Sequence, residues 1–187
     1  MNIFVFGTLL SETFRKIVLG RELNSEHICT ASLKNFCVYW AEGGPFPVIV
    51  PKDGTEVHGV VLKDLNEHDI ERLNYYELGF GYVLREALVE TNDGLQDVFA
   101  YFCRSSDMAS KNLWSFDDWH TKHSEIQYLA TTEFMDFFGT KFGDTAQQMY
   151  NSILKRAEIY VKERSSLSNV IEDGPSKHAK AQVESLT

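Results

Sequence analysis

The chain has 187 residues, a formal net charge of −9, 43% hydrophobic residues, 13 Phe and 8 Tyr. That is enough apolar material for one domain with a proper core, and the aromatics favour a β-rich element packed by rings. The acidic balance argues against a phosphate-tracking nucleic-acid binder and against a protein held on anionic lipid, both of which rest on clustered Lys and Arg.

The chain opens with an apolar run, Ile3 to Phe6, read as a strand, which Gly7 and Thr8 end. Ser11 is placed to cap a short helix carrying Phe14, Ile17 and Val18, with Gly20 as its stop. Residues 27–41 read as one or two strands with a break near Asn35. A loop is expected at Gly43, Gly44, Pro45 and Pro47, a short strand over Val48–Val50, a turn at Asp53-Gly54 and another strand over Val57–Leu62. Ile70, Leu73 and Tyr76 then recur at helical spacing behind Asn66 as N-cap, and Glu77 falls at the helix end before Gly79 and Gly81. Tyr82–Val89 and Val98–Cys103 read as a hairpin turning at Asn92-Asp93-Gly94.

Residues 105–119 are polar and read as a loop with a helical turn. Ile126–Phe138 reads as a helix that Gly139 and Gly143 break. From Ala146 the set Met149, Tyr150, Ile153, Leu154, Ala157, Tyr160 and Val161 keeps a helical rhythm, predicting an amphipathic helix whose stripe is core or a dimer face. From Ser165 the chain is expected to be a flexible polar tail.

Two features suggest chemistry. In Phe6-Gly7-Thr8-Leu9-Leu10, the glycine lets backbone approach a ligand, and the N–H groups that follow suit a carboxylate or an oxyanion. An ordinary strand-to-helix turn reads equally from the same residues. The second feature is Glu77, which follows Tyr75-Tyr76 and precedes a Gly-rich turn. Partial burial among rings would raise its pKa and make it a usable acid and base near neutral pH; a solvated helix-end glutamate is the competing reading.

Together, in this order and spacing, the two features resemble the γ-glutamylcyclotransferase-like superfamily, which includes the AIG2-like proteins. The family's Tyr-Gly-Ser/Thr-Leu loop corresponds to Phe6-Gly7-Thr8-Leu9. Its Pro-containing strand and Val-x-Gly strand correspond to Phe46–Pro51 and Val57-His58-Gly59. Its Leu-Asp-x-x-Glu-Gly motif with following Tyr and Arg corresponds to Leu73-Asn74-Tyr75-Tyr76-Glu77-Leu78-Gly79, Tyr82 and Arg85. Phe6 replaces Tyr, Asn74 replaces Asp, and Leu78 intervenes before Gly79; these departures bear on substrate identity. The resemblance covers residues 2–104. It implies an α+β fold, a small mixed β-barrel with peripheral helices, here with a C-terminal helical extension. The expected division is a barrel domain over 1–104, the helical extension over 105–164 and the tail over 165–187.

The resemblance also implies the reaction. A γ-glutamyl peptide or amine cyclises to 5-oxoproline and releases its amine, with Glu77 as catalytic acid/base. Phe6, Gly7, Thr8, Leu9 and Leu10 are the implied substrate-binding loop, joined by Tyr82 and Tyr101 from the hairpin. The alternative is a non-catalytic small-molecule-binding module on the same scaffold. A third reading is an interaction protein using the long C-terminal helix.

The expected partner is a small-molecule γ-glutamyl substrate, with no cofactor, no metal, no nucleic acid and no membrane, and a homodimer as an option. Asp117, His120 and His123 read as a solvated helix start rather than a metal site. Cys29, Cys37 and Cys103 form no CxxC pair, which argues against disulfides and a structural zinc. The opening residues do not read as a signal peptide, and no run approaches the roughly 18 apolar residues of a transmembrane helix, so a cytoplasmic location is expected.

Overall fold

The computed structural model describes residues 1–141 and 143–172. Strand β1 (Ile3–Val5) leads through a 3-10 turn into helix α1 (Glu12–Leu19). The Ser11 hydroxyl accepts the Phe14 N–H at one end of α1, and Gly20 closes the other in the left-handed conformation, φ 71°.

Strands β2 (Ile28–Ala41) and β3 (Gly44–Leu62) form one long antiparallel hairpin. The expected loop over Gly43–Pro47 contracts to a tight turn. The two short strands expected over Val48–Val50 and Val57–Leu62 are parts of β3. The expected Asp53-Gly54 turn is a bulge inside this strand, because residues 52–55 face only Asn35 between the pairs Phe36–Pro51 and Lys34–Glu56. Asn35 (φ 61°) and Gly54 (φ 73°) adopt the left-handed region there, and the Gly54 N–H donates to Asn35 Oδ1 at 3.1 Å.

Helix α2 (Glu67–Leu78) starts with a reciprocal capping box between Asn66 and Asp69. Asp69 is buried and also takes a two-pronged contact from Arg21, 2.8 and 2.6 Å, which fastens α2 to the end of α1. That contact holds the Asp69 carboxyl below the usual carboxylate range. Strands β4 (Tyr82–Thr91) and β5 (Gly94–Cys103) form the expected hairpin.

The order β3-β1-β5-β4-β2, with β2 paired back to β3, closes a five-stranded barrel. Only the β1–β5 contact is parallel. The half of the β2–β3 hairpin before the bulge closes the barrel, while the half beyond it carries an extra strand, β6 (Ala109–Leu113), paired to β2. This strand lies in the segment expected to be a loop.

Alternate residues Val57 and Val61, and Val98, Ala100 and Phe102, point into the barrel with Phe4, Leu33 and Val89. Gly59 faces the same space; a Cβ there would lie 2.6 Å from the Phe4 ring, so the glycine makes room for that aromatic. On the outer face, Ile3, Val5 and Tyr101 pack against Phe14 and Val18 of α1 and Leu73 of α2. A third cluster joins Ala130 and Phe134 of α4 (Ser124–Met135) to Ile153 and Ala157 of α5 (Gly143–Glu172), which follow the short α3 (Phe116–Lys122). The α5 stripe is therefore packed on α4 over most of its length, with Ile159 and Tyr160 exposed.

Helix α5 continues through Glu172, so residues 165–172, expected as tail, are helical; the rest of that expected tail, 173–187, lies outside the described residues. No helix among the described residues is long and apolar enough to cross a membrane.

Candidate active site

At the end of β1, Gly7 adopts φ 73° and runs so close to β3 that an added Cβ would lie 2.2 Å from Pro47 Cγ. Thr8 and Leu9 follow in the 3-10 turn, both buried. The Arg15 guanidinium donates to the carbonyls of Leu9 (2.9 Å) and Leu10 (2.8 Å), which fixes the turn. The N–H groups of Gly7, Thr8 and Leu9 find no acceptor outside the turn among the described residues.

Glu77 comes from the last turn of α2. It lies four residues after the fully buried Leu73, on the same inward face. It is 8% exposed, and no hydrogen bond or ion pair reaches its carboxyl among the described residues. Burial alone pushes its pKa up to about 8. The carboxyl lines a cavity of about 50 Å³.

Four of the cavity's walls are phenols. Tyr82 Oη donates to the Pro47 carbonyl at 2.6 Å, and Tyr101 Oη to Asn74 Oδ1 at 2.9 Å. Burial pushes Tyr76, Tyr82 and Tyr101 upward, and Tyr150 up to about 12, so all four stay neutral O–H groups at physiological pH. Phe80, in the turn after α2, meets the Tyr150 ring edge-on at 4.7 Å between centroids. Among the described residues, no Lys, Arg or His lines the cavity, and Glu77 is the one readily ionised group there.

Of the expected site residues, Glu77, Phe6, Thr8, Leu9, Tyr82 and Tyr101 share this cavity. Gly7 and Leu10 line a separate, shallower groove with Cys37, His58 and Trp114, and Gly7 serves the cavity through its backbone turn. Sequence reasoning missed Pro47, Phe80, Gln127 and Tyr150 as lining residues. The rings beside Glu77 were a signal for Phe80; Gln127 had none, being a lone amide in a helix, and Tyr150 read only as part of the α5 stripe. The departures at 74 and 78 also resolve. Asn74 is the acceptor for Tyr101, while Leu78 is 42% exposed and stays out of the cavity. His120 stacks on Phe116 and His123 meets Trp40 edge-on, so the two histidines serve different contacts.

A closed mixed barrel flanked by helices thus carries a carboxyl, unpaired among the described residues, in a cavity that the strand-to-helix turn also lines. The chain belongs to the "Gamma-glutamyl cyclotransferase, AIG2-like" family, whose model matches residues 3–121. AIG2-like protein B of Arabidopsis thaliana is 29% identical over 138 residues, covering 72% of this chain and 78% of that protein. AIG2-like protein A of the same plant is 28% identical over 130 residues, covering 66% and 74%. A solution structure from Arabidopsis thaliana superposes with a TM-score of 0.51 at 25% identity, covering 75% of this chain and 93% of that one.

Proposed function

We propose that this protein is a γ-glutamyl cyclotransferase that converts a γ-glutamyl peptide or amine to 5-oxoproline and the free amine, with Glu77 as acid/base. The observation that carries this reading is the buried, partnerless Glu77 carboxyl at a cavity shared with Thr8 and Leu9. Family membership supports the reaction class.

In the empty site at pH 7 only about a tenth of Glu77 is ionised, given a pKa of about 8. The substrate's α-ammonium supplies the missing counter-charge and favours the carboxylate. Glu77 then takes a proton from that ammonium and frees the nitrogen lone pair. The amine attacks the γ-carbonyl carbon; the new C–N bond closes the five-membered ring as the bond to the departing nitrogen breaks. Glu77 returns its proton to that departing nitrogen and takes the second proton from the ring nitrogen; that proton then leaves with the released amine as its ammonium, so Glu77 ends ionised. Bringing amine and carbonyl together within one molecule supplies much of the rate advantage, so no protein nucleophile is required. The N–H groups of the Gly7–Leu9 turn receive the substrate carboxylate or the oxyanion.

The competing reading is a non-catalytic binding module, favoured by Phe6, which offers the cavity no hydroxyl. A panel of γ-glutamyl dipeptides and γ-glutamyl amines separates the two. The enzyme releases 5-oxoproline from at least one member, whereas a binding module releases it from none.

A further inference from the structure

Among the polar groups lining the cavity is one amide, which the cyclisation does not use. Gln127, on α4, is 4% exposed, and its carboxamide oxygen accepts the Tyr150 hydroxyl at 3.2 Å. With the oxygen engaged, the NH2 is the end of this cavity-lining side chain left to meet a ligand. Gln127 and Tyr150 both lie beyond residues 3–121, the part of the chain that the family model matches. They come from the helical layer, whereas Thr8, Leu9, Tyr82 and Tyr101 come from the barrel and its first turn.

We propose that Gln127, held in orientation by Tyr150, is a specificity-determining residue whose NH2 donates to an uncharged acceptor, a carbonyl or amide oxygen, on the departing amine. The inference rests on the cyclotransferase reading. It assigns Gln127 to the departing amine because the Gly7–Leu9 turn and Glu77 already serve the glutamyl carboxylate or oxyanion and the α-amine. The acceptor is uncharged because no Lys, Arg or His among the described residues lines the cavity to pair with a second carboxylate, and Glu77 would repel one. A site built around a hydrogen bond rejects an isostere that lacks the acceptor, since the donor is then left unpaired.

Three compounds of matched shape test this: γ-glutamyl-glycinamide, γ-glutamyl-isobutylamide, which lacks the acceptor, and γ-glutamyl-glycine, which adds a carboxylate. The parent is expected to favour the glycinamide by tenfold or more in kcat/KM over each of the others. Gln127→Leu is expected to abolish or invert the preference over the isobutylamide, chiefly through KM for the glycinamide. Tyr150→Phe, which removes the orienting hydroxyl but keeps the ring, is expected to reduce it. Equal rates for all three compounds in the parent, or an undiminished preference in Gln127→Leu, would overturn the assignment. If none releases 5-oxoproline, calorimetric titration of the same compounds into the parent and Gln127→Leu decides. The same order of affinities in the parent, lost in the variant, sustains the role of Gln127 while the enzymatic reading fails. No order, or no binding, overturns it.

Discussion

Gly7 and Pro47 touch so closely that the space a Gly7 Cβ would occupy is filled by the proline ring, 2.2 Å away. Two distant parts of the chain, the end of β1 and the start of β3, are thereby fitted to each other at the edge of the cavity. Gly7→Ala meets both that contact and a left-handed backbone, φ 73°. It is expected to cost about 2–4 kcal/mol of stability, and to lower activity in whatever fraction remains folded. Urea unfolding together with product release checks both effects.

The Tyr82 hydroxyl holds Pro47 from its other end, through the carbonyl. Tyr82→Phe leaves that buried acceptor unsatisfied and is expected to cost about 1–3 kcal/mol. A neutral effect in urea unfolding would mean that water replaces the hydroxyl there.

Burial of Glu77 should be visible as a stability effect of opposite sign to that of most carboxylates. Its folded pKa of about 8 lies above the ordinary glutamate value of 4.5, so the native state keeps a proton that the unfolded chain gives up in that interval. Stability contributed by this group is present below about pH 4.5 and lost as pH rises towards 8. At pH 7 the loss is roughly 3 kcal/mol. The unfolding free energy of Glu77→Gln, relative to the parent, should therefore rise by that amount between pH 4.5 and 7. A difference independent of pH would show that the carboxyl is hydrated.

Asp69 behaves in the conventional way, with its pKa lowered chiefly by the hydrogen bond from Arg21. Its contribution is present above the unfolded value of about 4 and is lost as pH falls further. Asp69→Asn weakens both the Arg21 contact and the capping box, and is expected to cost about 1–3 kcal/mol at pH 7 and less at pH 3. Thermal melts at the two pH values check this.

Features set by neighbouring residues were legible in the sequence. Ser11 and Gly20 bracket α1, Asn66 starts α2, and Asn92-Asp93-Gly94 turns the β4–β5 hairpin, because caps and turns are satisfied by atoms close along the chain. Features set by distant partners were not. Pro47 and Pro51 look like strand breakers, yet long pairing with β2 carries β3 through both. The polar β6 is a strand because β2 offers it an edge. Closure of the barrel rests on the parallel pairing of Ile3 and Phe4 with Phe99 and Ala100, which no local pattern announces. The same division holds at the cavity. The turn after β1 and the glutamate at the end of α2 leave recognisable motifs, whereas Gln127 becomes notable only once Tyr150 is beside it.

The central claim is that a single carboxyl shuttles the proton. Release of 5-oxoproline from a γ-glutamyl compound, compared between the parent and Glu77→Gln across pH 6 to 9, tests it most directly. The parent kcat/KM is expected to climb with pH through a midpoint near 8, and the variant to be about 10²–10⁴-fold slower. A variant that matches the parent rate would contradict it.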